Sequence, residues 1–249
     1  MFGVDNTLLL SVFGIFLFAG TVKGILGFGL PIITMSLLPF VMPIEKAIAL
    51  SAIVQPATNI FQLVSAGGYK QSFKLAWPVL LMLVPGVAMG AWYLTELESE
   101  TLLLLVGITI VAFSLFDLLG YKVSISEARK VPFGMGFGLV AGIFGALTAL
   151  NGWAFIMYLI GVGASREVFR SAIAMLFLVS GFLISSSFWV LGWLTTETVL
   201  LGVLALLTAF PGMTIGNRLG RKLSGETFRK MLLIALVIVG LTLAVQAGS

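Results

Sequence analysis

The sequence predicts an all-α integral membrane protein made of two inverted repeats, each a Gly-rich helical hairpin plus about three transmembrane helices. Three observations predict it. First, 59% of the 249 residues are hydrophobic and only 10% are charged, with a mean hydropathy of +1.15. A soluble domain of this length cannot hide that much apolar surface, so lipid must be its solvent. Second, the chain repeats itself at an offset of about 120 residues. Third, its basic residues divide unevenly once a particular path through the bilayer is assumed.

At about 20 residues per span the length admits roughly eight helices. Continuous apolar runs such as Leu102–Ile110 and Leu232–Val239 read as helices, and the alternation of an outer-membrane barrel is missing. Met1–Thr7 carries Asp5 and no basic stretch, so no cleavable signal is expected.

The duplication is legible in three matches that keep their order. PGVAMGAWYLTELESET (85–101) aligns with PGMTIGNRLGRKLSGET (211–227), sharing the Pro-Gly, a second Gly, a Leu and the Glu-Thr. Lys46…Ser51-Ala52-Ile53 aligns with Arg166…Ser171-Ala172-Ile173, and Gly24-Ile25…Gly27 with Gly142-Ile143…Gly145. Residues 1–120 and 121–249 are therefore two membrane repeats of one domain. Charge then relates them. If segments 7–43 and 131–163 each enter and leave on one side, Lys46 alone falls opposite Lys70, Lys74, Lys122, Arg129, Lys130, Arg166, Arg170, Arg218, Arg221, Lys222, Arg229 and Lys230. Positive-inside topology prefers that path, which gives each half an odd number of crossings and inverts one copy against the other.

The first hairpin, 7–43, contains TVKGILGFGLPIIT (21–34). Its leading limb, Thr7–Val22, has 16 residues or about 24 Å of helix, short for a hydrocarbon core of about 30 Å, so the tip is expected near the midplane. Broken backbone at that depth must be buried in protein or line a wet cavity. A helix starting near Pro31 turns its positive end toward the tip, and Lys23 adds a full charge. Lys23, Gly24, Gly27 and Gly29 thus form a candidate anion seat. The competing expectations are that the glycines allow close helix packing and that Lys23 reaches an interface.

In the following helix Ser51, Gln55, Asn59 and Gln62 recur at spacings of four, four and three and share one face, kinked at Pro56. They read as ligand contacts or as interhelical hydrogen bonds, the second being preferred for Gln62. The equivalent positions of the second half are Ser171, Met175, Val179 and Phe182, so the stripe is mostly one-sided. The second hairpin, 131–163, carries GIFGALTALNGW (142–153), where Thr148, Asn151 and Gly152 offer donors and Trp153 a wall. Arg170, just before Ser171, is the other candidate buried cation or marks the cytoplasmic edge. Asp117 is expected at an interface.

The chain has no Cys and no His. Disulfides, thiol nucleophiles and thiolate or imidazole metal sites are excluded, and no cofactor, metal ion or catalytic residue is expected. The charge of +4 lies in short loops and orients the chain in the bilayer rather than binding nucleic acid. An intramembrane enzyme would need paired acids or a Ser with a base, which the sequence does not offer. A small anion and the lipid bilayer are the expected partners, and a homodimer is left open.

The motif GILGFGLPIITMSLL (24–38), the two Pro-Gly-x-x-x-Gly segments and the RKLSGETFRK (221–230) that follows the second resemble the sulfite exporter TauE/SafE family over essentially the whole chain. The resemblance implies a permease of the bacterial cytoplasmic membrane that exports sulfite, an organosulfonate or a related small anion. Ala146-Leu147-Thr148-Ala149-Leu150 departs from the glycine run that the family usually carries in its second repeat. The expected mechanism is alternating access between inverted halves, with a passive anion channel as the alternative.

Overall fold

The computed structural model describes residues 5–120, 124–221 and 225–248, with the side chains of 225–227 excepted. Lys122 and Lys222 lie outside the described residues. The described chain is helical throughout: α1 Asn6–Leu26, α2 Leu30–Leu37, α3 Ile44–Ala66, α4 Tyr69–Leu94, α5 Ser99–Leu118, α6 Lys130–Thr148, α7 Gly152–Gly161, α8 Arg166–Val190, α9 Thr196–Leu219 and α10 Gly225–Gln246. Eight of them are long and apolar enough to cross a membrane; α2 and α7 are the short ones. The pattern of one long, one short and three long helices occurs twice.

Local chemistry sets the ends. The Asp5 side chain accepts from Thr7 N at 3.1 Å and starts α1. Gly27, left-handed at φ 83°, closes α1 by donating its N–H to Lys23 O, and Pro31 sits in the first turn of α2. The hydroxyls of Ser165 and Thr195 accept from Val168 N and Thr198 N at the starts of α8 and α9.

Glycines then decide which helices touch. The duplicated Pro-Gly-x-x-x-Gly motif lies on α4 and α9, and each copy packs on the leading helix of the other half's hairpin. A Cβ on Gly216 would stand 2.1 Å from Thr21 O, and one on Gly24 2.4 Å from Met213 O. On α4, a Cβ on Gly86 would meet Leu139 O at 2.4 Å and one on Gly90 would meet Ile143 O at 2.6 Å. Backbones this close exclude any side chain, so Gly24 serves helix packing here.

The same contacts give directions. Gly20 faces Ala209 while Ile25 faces Gly220, so α1 runs parallel to α9. Lys46 pairs with Glu197 and Ile53 faces Gly202, so α3 also runs parallel to α9. Gly138 faces Val79 and Gly142 faces Gly86, making α6 parallel to α4. Gln55 meets Gly181 while Gln62 reaches Arg170 O, so α3 and α8 are antiparallel. Gly107 meets Ala244 while Asp117 binds Arg229, so α5 and α10 are antiparallel.

Because α1 and α3 share a direction, the chain must come back between Leu26 and Ile44. It does so through α2 and a 3-10 turn at Leu38–Phe40. Segment 7–43 is thus a hairpin, but not with the expected limbs. The leading limb is the full 21 residues of α1, about 31 Å, because its helix continues through Lys23 and Gly24 rather than stopping at Val22. The tip also overshoots the midplane: Gly27 O accepts from Gln62 Nε2 at 2.7 Å, only four residues from the end of α3. The second leading limb, α6, likewise has 19 residues.

The described basic residues other than Lys23 and Lys46 sit at the starts of α4, α6, α8 and α10, at the end of α9 and just before α6, all on one face. Opposite them lie Lys46 with Glu45, Glu96, Glu98, Glu100 and Glu197. Single cysteines at Ser126 and Ser165 should therefore react with an impermeant maleimide from one side of the membrane, and cysteines at Thr95 and Thr195 from the other. Labelling of Ser126 and Ser165 from opposite sides would contradict the hairpin path. Gly216→Ala, which drives a methyl into the α1 backbone, should lower stability by about 1–3 kcal/mol, read as an earlier melt in detergent.

Candidate functional site

Lys23 lies near the C-terminal end of α1 and is only 3% exposed. Its Nζ donates to Asn59 Oδ1 at 2.7 Å and to Thr58 Oγ1 at 3.1 Å. Both acceptors are oriented by their own helix. The Thr58 hydroxyl is within bonding distance of Val54 O and Gln55 O, and Asn59 Nδ2 donates to Gln55 O at 2.8 Å, which turns the amide oxygen to the lysine. Asn59 is therefore the seat of the ammonium rather than a free ligand contact. Among the described residues three ion pairs form, and none includes Lys23. Its hydrogen-bond partners are neutral oxygens, so no carboxylate among the described residues neutralises it and an anion arriving there meets no competing acid.

Lys23 lines a small cavity with Gly24, Gly27, Gln62, Arg170 and Asn217. Its volume is about 20 Å³, room for roughly one water. Four of these residues, Gly24, Gly27, Arg170 and Asn217, also line a larger vestibule of about 470 Å³ on the basic face, together with Arg166 and Arg221. Among the described residues no acidic side chain lines either space. The result is a cationic funnel between α1, α8 and α9 that narrows to Lys23. Its field concentrates anions at the mouth, and burial strengthens it at the floor.

Four residues singled out in the sequence meet here: Lys23, Gly24, Gly27 and Arg170. Gln62 joins them as a tie, its Nε2 donating to Gly27 O and, at 3.4 Å, to Arg170 O, which agrees with its reading as an interhelical hydrogen bond. Arg166, Asn217 and Arg221 were not foreseen. Their signal was present in the spacing of four that puts Arg166 under Arg170 and Asn217 under Arg221 on successive turns.

The other candidates lie elsewhere. Gly29, at φ 105°, starts α2 and faces a different cavity, which it shares with Gly152 and Trp153 of the second tip. Lys23 and the positive end of α2 therefore do not form one seat, because the lysine turns toward α3 and the tip turns away. Ser51 Oγ and Thr34 Oγ1 bind each other at 2.7 Å. The Thr148 hydroxyl is spent on Phe144 O and Leu150 N, leaving no donor for a ligand. Asn151 Nδ2 donates to Ser180 Oγ at 2.6 Å. Gln55 (both amide atoms), Asn151 Oδ1, Trp153 Nε1 and Ser171 Oγ are buried without a partner.

Eight apolar spans, two broken hairpins buried against opposite halves and a cationic funnel ending on a membrane-embedded lysine define a multi-pass membrane protein of the transporter class. The chain belongs to the sulfite exporter TauE/SafE family, whose model matches residues 12–243. Comparison with curated proteins and with solved structures returns no match.

Removing the amide that seats the ammonium should be costly. Asn59→Leu takes away the 2.7 Å bond to Lys23 and strands a buried charge. It should destabilise the protein by about 1.5–3 kcal/mol in chemical denaturation. Met175→Leu, at the equivalent position to Gln55 in the second half, should stay within about 0.5 kcal/mol.

Proposed function

We propose that the protein exports sulfite or an organosulfonate of similar size across the bacterial inner membrane, by alternating access between two inverted repeats. The observation that carries the reading is the ammonium of Lys23, held by neutral acceptors at the floor of an arginine-lined funnel on the basic face. By the positive-inside rule that face is cytoplasmic, so the funnel collects anions from the cell interior.

The reciprocal packing supports two inverted copies, residues 1–120 and 121–249. Each leading hairpin helix rests on the other half, and the equivalent pairs α3/α8 and α5/α10 are antiparallel, as a two-fold axis in the membrane plane requires. The floor cavity shares Gly24, Gly27, Arg170 and Asn217 with the vestibule, so an anion drawn to Lys23 enters from the basic face, and carrying it across requires α1 to shift against α3 or α9. An inside-negative potential would favour outward movement of the anion by about 2.3 kcal/mol per charge per 100 mV.

Lys23→Met keeps the volume and removes the charge; Thr58 Oγ1 and Asn59 Nδ2 keep their backbone partners, and Asn59 Oδ1 alone loses its donor. In proteoliposomes it should reduce sulfite counterflow at least ten-fold while folded yield stays near native. Lys23→Arg should retain part of the flux, because charge survives while geometry changes. Counterflow unchanged in Lys23→Met would remove Lys23 from the site. Sulfite flux without trans-stimulation in the native protein would mean a channel rather than a carrier.

A further inference from the structure

Both short helices begin at one cavity that the funnel does not reach. Gly29, Pro31 and Ile32 of α2 and Gly152 and Trp153 of α7 line it, beside aromatic walls such as Phe28 and Phe177. It has a volume of about 30 Å³, enough for two waters or a compact anion, and no charged residue among those described lines it. The first-turn N–H groups of a helix have no acceptor within that helix, and its N-terminus carries a partial positive charge. Two such ends, one from each half, converge here in apolar surroundings.

Trp153, which lines the cavity, and two buried amides next to it have unmet hydrogen bonds. Asn151, in the chain between the lining residues Leu150 and Gly152, is 0% exposed and directly precedes α7. Its Nδ2 donates to Ser180 Oγ and its Oδ1 has no partner; with the amide turned over, Ser180 Oγ donates to Oδ1 and Nδ2 becomes a free donor. Trp153 Nε1, in the first turn of α7, is a buried donor without an acceptor. Gln55 is also 0% exposed with neither amide atom partnered. It lies one turn along α3 from Asn59, away from the basic face, and packs on Gly181 beside Ser180. Buried polar groups in folded proteins are nearly always paired, so a cluster of orphans marks where a partner arrives. The amides alone would suit either sign of charge; the two helix N-termini select an anion. The tip also keeps Ala149 in the left-handed region at φ 57°, which among the described residues no other non-glycine adopts.

We infer that the cavity between the two tips is a second anion seat, built from the N-termini of α2 and α7 with Trp153 Nε1 and the Asn151 amide, and distinct from Lys23. Resting on the export reading, it is a station for the anion on the far side of the lysine, with Gln55 between the two. Lacking a full positive charge, it holds the anion more weakly than the funnel floor and favours release.

Bromide, a monoatomic anion small enough for the space, tests this by anomalous diffraction from crystals of the full chain. A bromide peak is expected between the tips in the native protein and in Lys23→Met. Its occupancy should fall at least two-fold in Trp153→Phe, which keeps a ring but loses the N–H, and vanish in Asn151→Leu. If Asn151→Leu does not fold, Trp153→Phe alone decides. No peak between the tips, or one that ignores both substitutions as an adventitious ion only, overturns the inference. A peak beside Lys23 alone overturns it while upholding the funnel; a peak between the tips alone does the reverse.

Discussion

The close approach of backbones at Gly20, Gly24, Gly212 and Gly216, and at Gly86, Gly90, Gly138 and Gly142, holds each hairpin against the opposite half. Lipid cannot hydrogen-bond the backbone freed between α1 and α2 or between α6 and α7, so both breaks must be covered by protein. The glycine seams supply that cover. They fix the leading helices so tightly that the short helices can be broken, turned and lined with polar groups. Without the seams the hairpins would face the bilayer with unpaired N–H groups.

The second consequence is an inequality between the halves. Asn59 and Gln55 orient and follow the ammonium of Lys23 on α3, whereas their equivalents Val179 and Met175 on α8 are apolar, and the position matching Lys23 through the Gly24/Gly142 alignment is Ala141. The first half therefore places a buried lysine where the second half has an alanine. The funnel opens on the face where Arg166, Arg170 and Arg221 stand. On the other face Lys46 pairs with Glu197 and Glu45 accepts from the Ser99 hydroxyl, tying α3 to α9 and α5. The two faces thus differ both in charge and in closure.

Spare hydrogen-bonding capacity follows the same logic. Thr148, Ser51 and Thr34 spend their hydroxyls on neighbours, as buried hydroxyls in apolar surroundings must. Gln55, Trp153 and Ser171 leave their side-chain polar atoms unspent, and Asn151 spends one end of its amide on Ser180 and leaves the other free. These four were among the residues that the sequence singled out, and their unspent atoms lie on α3, α8 and the second tip, where the halves meet.

The sequence by itself determined the solvent, the helical class, the recurring motifs and the one-sided basic face, because composition and local repetition need no tertiary contact to be read. It also marked Lys23 and Arg170, since a cation among apolar residues is conspicuous in one dimension. What it left undecided was distance. Counting apolar residues stopped the leading limb at Val22, whereas the helix continues through Lys23 because Thr58 and Asn59 receive the ammonium and Gly24 fits against α9. Only the tertiary structure decided that the tip glycines and the lysine serve separate cavities. That division depends on which way a side chain turns between two neighbouring helices, and no spacing along a single chain encodes it.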